Sequence, residues 1–186
     1  MKGEKMKKKF MIITCILTCI LLVACNANSK EISTESHSAE VSKKNSEFKP
    51  YFKKNIAEMS DVKVEITNVK VIKVGEPGNE YGNKPVIAFW YIATNKTGKE
   101  INSMDAWLSF FTAVQDNDPN RINELQITAH PDATLMPMQS DIIKKGGSVK
   151  GACAYTLEDN TTPVTLIAKR GYEDYEIGRI DYKIVE

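Results

Sequence analysis

Val86-Ile87-Ala88-Phe89-Trp90-Tyr91-Ile92-Ala93 is apolar at every position. A strand with one wet face alternates apolar and polar residues, whereas a strand covered on both faces reads as an unbroken apolar run. Asn95-Lys96-Thr97-Gly98 closes the run with turn chemistry, so it is short enough for a central strand. Upstream, Val62, Val64 and Ile66 alternate with Lys63, Glu65 and Thr67, the period of a half-buried strand. The phase then slips by one, because Val69 and Val71 follow, and the slip predicts a β-bulge near Asn68. Gly75 to Lys84 (GEPGNEYGNK) is a turn-rich connection.

Downstream, Ala106 to Val114 (AWLSFFTAV) is expected as a second apolar strand, ended by Gln115-Asp116-Asn117-Asp118-Pro119-Asn120. In Gly147 to Leu157 the residues Val149, Cys153, Tyr155 and Leu157 share one face, with Lys150, Thr156 and Glu158 opposite. Pro163 to Ala168 reads as a short strand, and Ile180, Tyr182 and Ile184 alternate with Arg179, Asp181 and Lys183 in a last one. Residues 48–60 are open between two readings. Phe48, Phe52, Ile56 and Met59 fall at helical spacing, while Pro50 and the run into Asp61 equally suit a leading edge strand. No interior segment sustains helical periodicity over ten residues. Six or seven strands separated by turn signals predict an all-β fold, an antiparallel two-sheet sandwich over residues 48–186. It is immunoglobulin-like in architecture only, since the Cys–Trp–Cys pattern of immunoglobulin domains is missing. A domain of this length buries about 68% of its unfolded surface, enough to stand without staples.

The N-terminus carries the location. Residues 1–9 are basic, and Phe10 to Ala24 contains no charge. A bilayer span takes about 20 apolar residues, so this run suits the core of a signal peptide covering 1–24. Leu22-Val23-Ala24-Cys25 resembles the bacterial lipobox. The resemblance implies that the Cys25 thiol receives diacylglycerol and that a peptidase cuts before it, after which the new amino group can be acylated. Two acyl chains anchor stably where one binds marginally. The mature chain would then be held on the outer face of the cell membrane by lipid on Cys25. Residues 25–47 continue as a Ser-, Glu- and Lys-rich tether with only Ile32 and Val41 large and apolar, too polar to offset its ordering entropy. His37 lies in it. Cys15 and Cys19 fall in the signal peptide, so Cys153 is alone in the mature domain and no internal disulfide can form after processing.

The formal charge of +1 mixes two populations. Residues 1–24 hold five lysines and one acid, leaving 20 basic against 23 acidic residues, or −3, in the remainder. Nucleic-acid affinity rests on Lys and Arg neutralising phosphates, so such a body excludes nucleic acid as a natural partner.

Several stretches together carry a family resemblance. They are Lys84-Pro85-Val86-Ile87-Ala88-Phe89, Thr94-Asn95-Lys96, Gln115-Asp116-Asn117-Asp118 and Asn123-Glu124-Leu125, then Ile143-Lys144-Lys145-Gly146-Gly147 leading to Ala154-Tyr155, and Pro163-Val164-Thr165-Leu166. In this order they resemble an uncharacterised domain family of Gram-positive lipoproteins with an immunoglobulin-like sandwich. The resemblance implies fold and location, and it implies no activity and no site residues.

Candidate chemistry is sparse. Cys153 and His130 form a conceivable thiol–imidazole pair, but the strand face that Cys153 shares with Val149, Tyr155 and Leu157 favours a buried, inert thiol. No Gly-x-Ser-x-Gly elbow is present. His130, Met136 and Met138, with Met104 in addition, make a soft-ligand set suited to Cu(I), against loop packing around Pro137. Asp116-x-Asp118-x-Asn120 offers oxygens at alternate positions, but Arg121 and Ile127 stand where a calcium loop needs glycine and glutamate, so a turn held by Asx hydrogen bonds is the better reading. Asn95-Lys96-Thr97 and Asn160-Thr161-Thr162 match a glycosylation sequon that means nothing in a bacterial lipoprotein. Trp90, Tyr91, Trp107, Phe110 and Phe111 read mainly as core, with a remainder free to line one sheet face. These features lead to a non-enzymatic, membrane-anchored binding or accessory module, without cofactor, for an envelope protein, peptide or glycan. An extracytoplasmic copper carrier or sensor at the His/Met set is the alternative.

Overall fold

The computed structural model describes residues 48–170 and 175–185. The expected signal peptide, Cys25 and the expected tether lie outside the described residues. The two-sheet antiparallel sandwich expected from the sequence is the fold observed. One sheet has the order β1-β2-β3-β4-β7, made of β1 (Tyr51–Lys53), β2 (Ile56–Glu58), β3 (Val62–Ile72), β4 (Val86–Asn95) and β7 (Ser148–Thr156). The other runs β6-β5-β8-β9, from β6 (Asn123–Glu124), β5 (Phe111–Gln115), β8 (Val164–Arg170) and β9 (Tyr175–Tyr182). Of the nine described strands, β1, β2 and β6 are the short ones.

Residues 48–60 resolve as strand, in the form of a hairpin. Lys54 and Asn55 both have positive φ, 52° and 62°, which is the two-residue turn that matches the twist of paired strands. The bulge falls where the phase slip placed it. Ile66 pairs with Tyr91 and Asn68 with Trp90, so Thr67 is the extra residue, and its hydroxyl donates to the Trp90 carbonyl at 3.1 Å. The bulge keeps Val62, Val64 and Ile66 and then Val69 and Val71 packed on the inner core. β4 is covered on both faces, as its composition requires. Ile87, Phe89, Tyr91 and Ala93 enter the main core, while Val86, Ala88 and Trp90 join Ile72 and Ala154 in a smaller outer cluster. The stretch 126–135 lies over that cluster. Its backbone extends the sheet beside β7, through Thr128 N–H to Ala154 O and Thr156 N–H to Gln126 O, both 3.0 Å.

The expected strand over Ala106 to Val114 is corrected. Its first half is a helix, α1 (Ser103–Phe110), and β5 starts only at Phe111. Asn102 caps the helix, its side chain accepting from Asp105 N–H at 2.7 Å. Ser103, Ala106, Trp107 and Phe110 are the buried residues, at spacings of three and four, while Leu108 points to solvent. Eight residues is too few for helical periodicity to stand out from an apolar run. Tertiary burial of one face then decides the conformation.

Trp107 fixes the centre of the core. It stacks on Tyr91 at 4.6 Å, meets Phe111 at 4.5 Å and Phe89 at 5.4 Å, and donates its indole N–H to Tyr155 Oη at 2.8 Å. The Tyr91 hydroxyl in turn donates to Ser103 O at 3.0 Å. The Tyr91 ring lies so close across β7 that a Cβ at Gly151 would sit 2.6 Å from it, hence glycine there. The buried amide of Asn95 is satisfied from two directions in the chain. Asn95 donates to Lys99 O and Ile143 O, each at 2.8 Å, and accepts from Thr97 N–H, which gives the first sequon match a structural role.

Candidate functional site: the Trp90 cleft and the open seam

Cys153 and His130 do not meet. Cys153 is 2% exposed in the main core, and burial pushes its thiol up to about 12. His130 belongs to the stretch over the opposite face of the sheet. Its Nδ1 accepts Asp132 N–H at 3.1 Å, its Nε2 is buried with no hydrogen-bond partner among the described residues, and burial holds its pKa below the ordinary value. That environment favours the neutral ring with its proton on Nε2.

Three methionines of the soft-ligand set lie around one 3-10 turn. Met136 and Met138 lie 46% and 40% exposed on a single 3-10 turn. Backbone contact brings Met104 to the end of that turn, its N–H donating to Gln139 O at 3.2 Å. His130 is engaged instead by Asp132. Among the described residues no group of three or more His, Cys, Asp or Glu side chains is placed to hold a metal ion. The Asp116–Asn120 stretch is a turn of the kind anticipated. Asp118 accepts from Asn120 N–H and from Arg121 Nε, each at 2.9 Å, and these bonds, the backbone one foremost, hold its carboxyl below the usual range. Asn160-Thr161-Thr162 is likewise part of a turn, in which Asp159 accepts from the N–H groups of Thr161 and Thr162.

Of the five aromatics, Tyr91, Trp107, Phe110 and Phe111 are core. Trp90 is the exception. Its indole N–H donates to Asp132 Oδ2 at 2.9 Å, which locks the ring on the outer face. There it borders an open cleft of about 540 Å³, with Ile92, Leu135, Thr67, Asn68 and Lys150 around it. Thr134 and then Trp90 hydrogen-bond to Asp132 and hold its carboxyl below the usual range.

A second opening lies between the sheets, and it follows from the shortness of β1 and β2. β2 pairs with β3 only over Lys63–Glu65. The hairpin ends at Asn55, which accepts Ile66 N–H on its carbonyl and the Tyr182 hydroxyl on its side chain, both at 2.8 Å. β1 packs beside β9 closely enough that a Cβ at Gly178 would lie 2.3 Å from Phe52 O. The hairpin thus fills the gap between β3 and β9 in one half of the sandwich. In the other half no described strand pairs with Asn68–Ile72 on the edge away from β4, and β9 is the edge strand of its own sheet. The result is a seam of about 560 Å³ lined by Val69, Val71, Ile87, Tyr182 and Val185, with Lys70, Lys73 and Lys183 on it as well. Sequence reasoning missed this site, because Lys73 and Lys183 are far apart in the chain. The only local signal was the bulge at Asn68.

The two ends of the domain differ. Phe48 lies under the Lys96 ammonium at 4.5 Å, and Lys96 bonds Glu58 at 2.6 Å, so the chain enters beside the Val62–Asn95 end of the sheet. β3 carries the seam to its Ile72 end, about 30 Å away at 3.3 Å per residue.

Fold and openings together define a β-sandwich module with surface clefts and a buried, inert thiol. The chain belongs to the family described as Domain of unknown function (DUF5067), whose profile matches residues 37–170. The match bears out the resemblance drawn from the sequence, and β9 falls beyond it. None of the curated proteins matches the chain. A solved structure described as that of a "putative lipoprotein from Staphylococcus aureus subsp. aureus NCTC 8325" is similar with a TM-score of 0.62 and 19% identity, over 73% of this chain and 92% of that one. At that identity the likeness establishes the fold.

Proposed function

We propose that the protein is a non-enzymatic binding module, lipid-anchored through Cys25 on the outer face of the bacterial cell membrane, which holds another envelope molecule at its far end. The carrying observation is the seam between β3 and β9, which runs to the Ile72 end of β3, about 30 Å from the end where the chain enters the domain at Phe48. A tether of 22 residues adds a reach on the order of 25 Å between the anchor and the domain. The signal-peptide pattern, Cys25 in its lipobox context and the likeness to a Staphylococcus aureus protein described as a lipoprotein support the location. The non-enzymatic reading is supported by the separation of Cys153 from His130.

The test is crosslinking in the native cell with the full chain on its own anchor, followed by identification of what is captured. One recurrent envelope partner is expected. Recovery of nothing beyond abundant neighbours, in repeated experiments with different crosslinkers, overturns the reading. In parallel, Cys25→Ala is expected to release the protein from the membrane fraction, and firm retention would refute the anchor.

A further inference from the structure

We infer that the seam receives an extended peptide segment of another envelope protein, which adds as a β-strand along Asn68–Ile72 with acidic side chains meeting Lys73 and Lys183. The inference rests on the binding-module reading and names its partner class.

The molecule itself illustrates what fits between these edges. β2 lies against β3 over Lys63–Glu65 and β1 lies beside β9, so the lower half of the gap is occupied by extended backbone. That occupation stops at the Lys54–Asn55 turn, and the same gap continues upward unfilled. The open edge of β3 is about 13 Å long at 3.3 Å per residue, the reach of about five residues of added strand. In strand addition, main-chain hydrogen bonds supply affinity and pockets for alternate side chains supply specificity. The floor supplies such pockets. Val69 and Val71 from β3 and Tyr182 from β9 present apolar surface above the buried Ile87 of β4.

Charge selects the occupant. The acids at the seam are already engaged: Glu76 accepts Lys73 N–H at 3.2 Å and lies 3.9 Å from Lys70 Nζ, and Asp181 accepts the Thr165 hydroxyl at 2.7 Å. Lys73 and Lys183 have no ion pair among the described residues, and with Lys70 they make three lysines against the two acids Glu76 and Asp181, which leaves the rim positive. Lysines on a sheet edge also repel like edges, and so disfavour a second copy of this chain while favouring an acidic strand.

The experiment selects short random peptides, displayed on phage, against the full chain in detergent micelles, and titrates the enriched peptides in solution. Enrichment of apolar residues at alternate positions, with Asp or Glu between them, is expected. Lys73→Glu together with Lys183→Glu should weaken binding about tenfold or more. Both side chains lie on the surface, so the fold is kept, which circular dichroism checks. Peptide binding should also slow hydrogen exchange at the Asn68–Ile72 amides, a readout that charge attraction alone does not move. Lys150→Glu at the Trp90 cleft should leave the affinity unchanged.

The inference is overturned if no peptide is enriched, if enriched peptides lack the period of two, or if they survive the double reversal. It is equally overturned if the protein self-associates through this edge or if its own N-terminal segment protects Asn68–Ile72. A recurrent cellular partner whose binding survives the reversal sinks the seam and leaves the binding-module reading standing. Absence of any cellular partner sinks both.

Discussion

Replacing Gln115 by leucine tests whether the β7–β8 connection is held by one buried amide. Gln115 is fully buried at the end of β5. Its Nε2 donates to Asp159 O at 3.1 Å and Thr162 O at 2.8 Å, and its Oε1 accepts from Glu158 N–H at 2.7 Å and Asp159 N–H at 3.4 Å. Leucine keeps the bulk and loses all four interactions, three of them with good geometry. Each is worth about 1 kcal/mol net, and more for any backbone group left dry, so the loss is about 3 kcal/mol. Urea unfolding followed by tryptophan fluorescence measures it. With a slope of about 2 kcal/mol/M the midpoint should fall by about 1.5 M with the slope unchanged, and Tm should drop by about 10 °C. Gln115→Glu supplies the sign control. Its carboxylate would face the Asp159 and Thr162 carbonyls, which raises its folded-state pKa, so the folded state binds more protons and stability should recover as pH falls through that value. A leucine variant within about 0.5 kcal/mol of wild type, the range of ordinary surface substitutions, would refute the latch.

The Cys153 thiol, buried and pushed up to about 12, should resist alkylation in the native protein and react at the rate of unfolding, and fast labelling in native buffer contradicts this placement. Asn102→Ala removes the α1 cap and should cost about 1 kcal/mol in denaturant unfolding, whereas Asn102→Asp or Asn102→Ser should retain most of it. The Lys96 hydrogen bond, followed by that of Tyr51, holds Glu58 below its ordinary value. Its contribution is therefore present above the unfolded carboxylate value and lost as pH falls through the folded one. Lys96→Met should flatten this acid limb of the stability–pH curve, and an unchanged limb would assign acid lability to other carboxylates.

What was legible in the sequence was whatever a short-range period encodes. The unbroken run from Val86 to Ala93 required two covered faces, and both are found. The phase slip after Ile66 required one extra residue, and Thr67 is it. The alternation through Val149, Cys153, Tyr155 and Leu157 aimed the thiol inward. These hold because strand side chains alternate whatever lies far away in the chain. The lipobox resemblance at Cys25 rests on an equally local pattern and lies outside the described residues. α1 was not, because its apolar residues satisfy both a strand and a helix. The choice rests on the Asn102 cap and on the packing of Trp107 against Tyr91, Tyr155 and Phe111. The second face of β4 required a cover, but only the fold identifies that cover as the stretch 126–135, with Asp132 turning Trp90 into a cleft wall. The seam is the most purely tertiary feature. Whether an edge is open depends on where the neighbouring strand stops, and the hairpin stops at Asn55 because two positive-φ residues turn it back there. No local pattern reports that Lys73 and Lys183 flank one gap. The folded sheets bring them there, and an unpaired edge has meaning only once all the pairings are made.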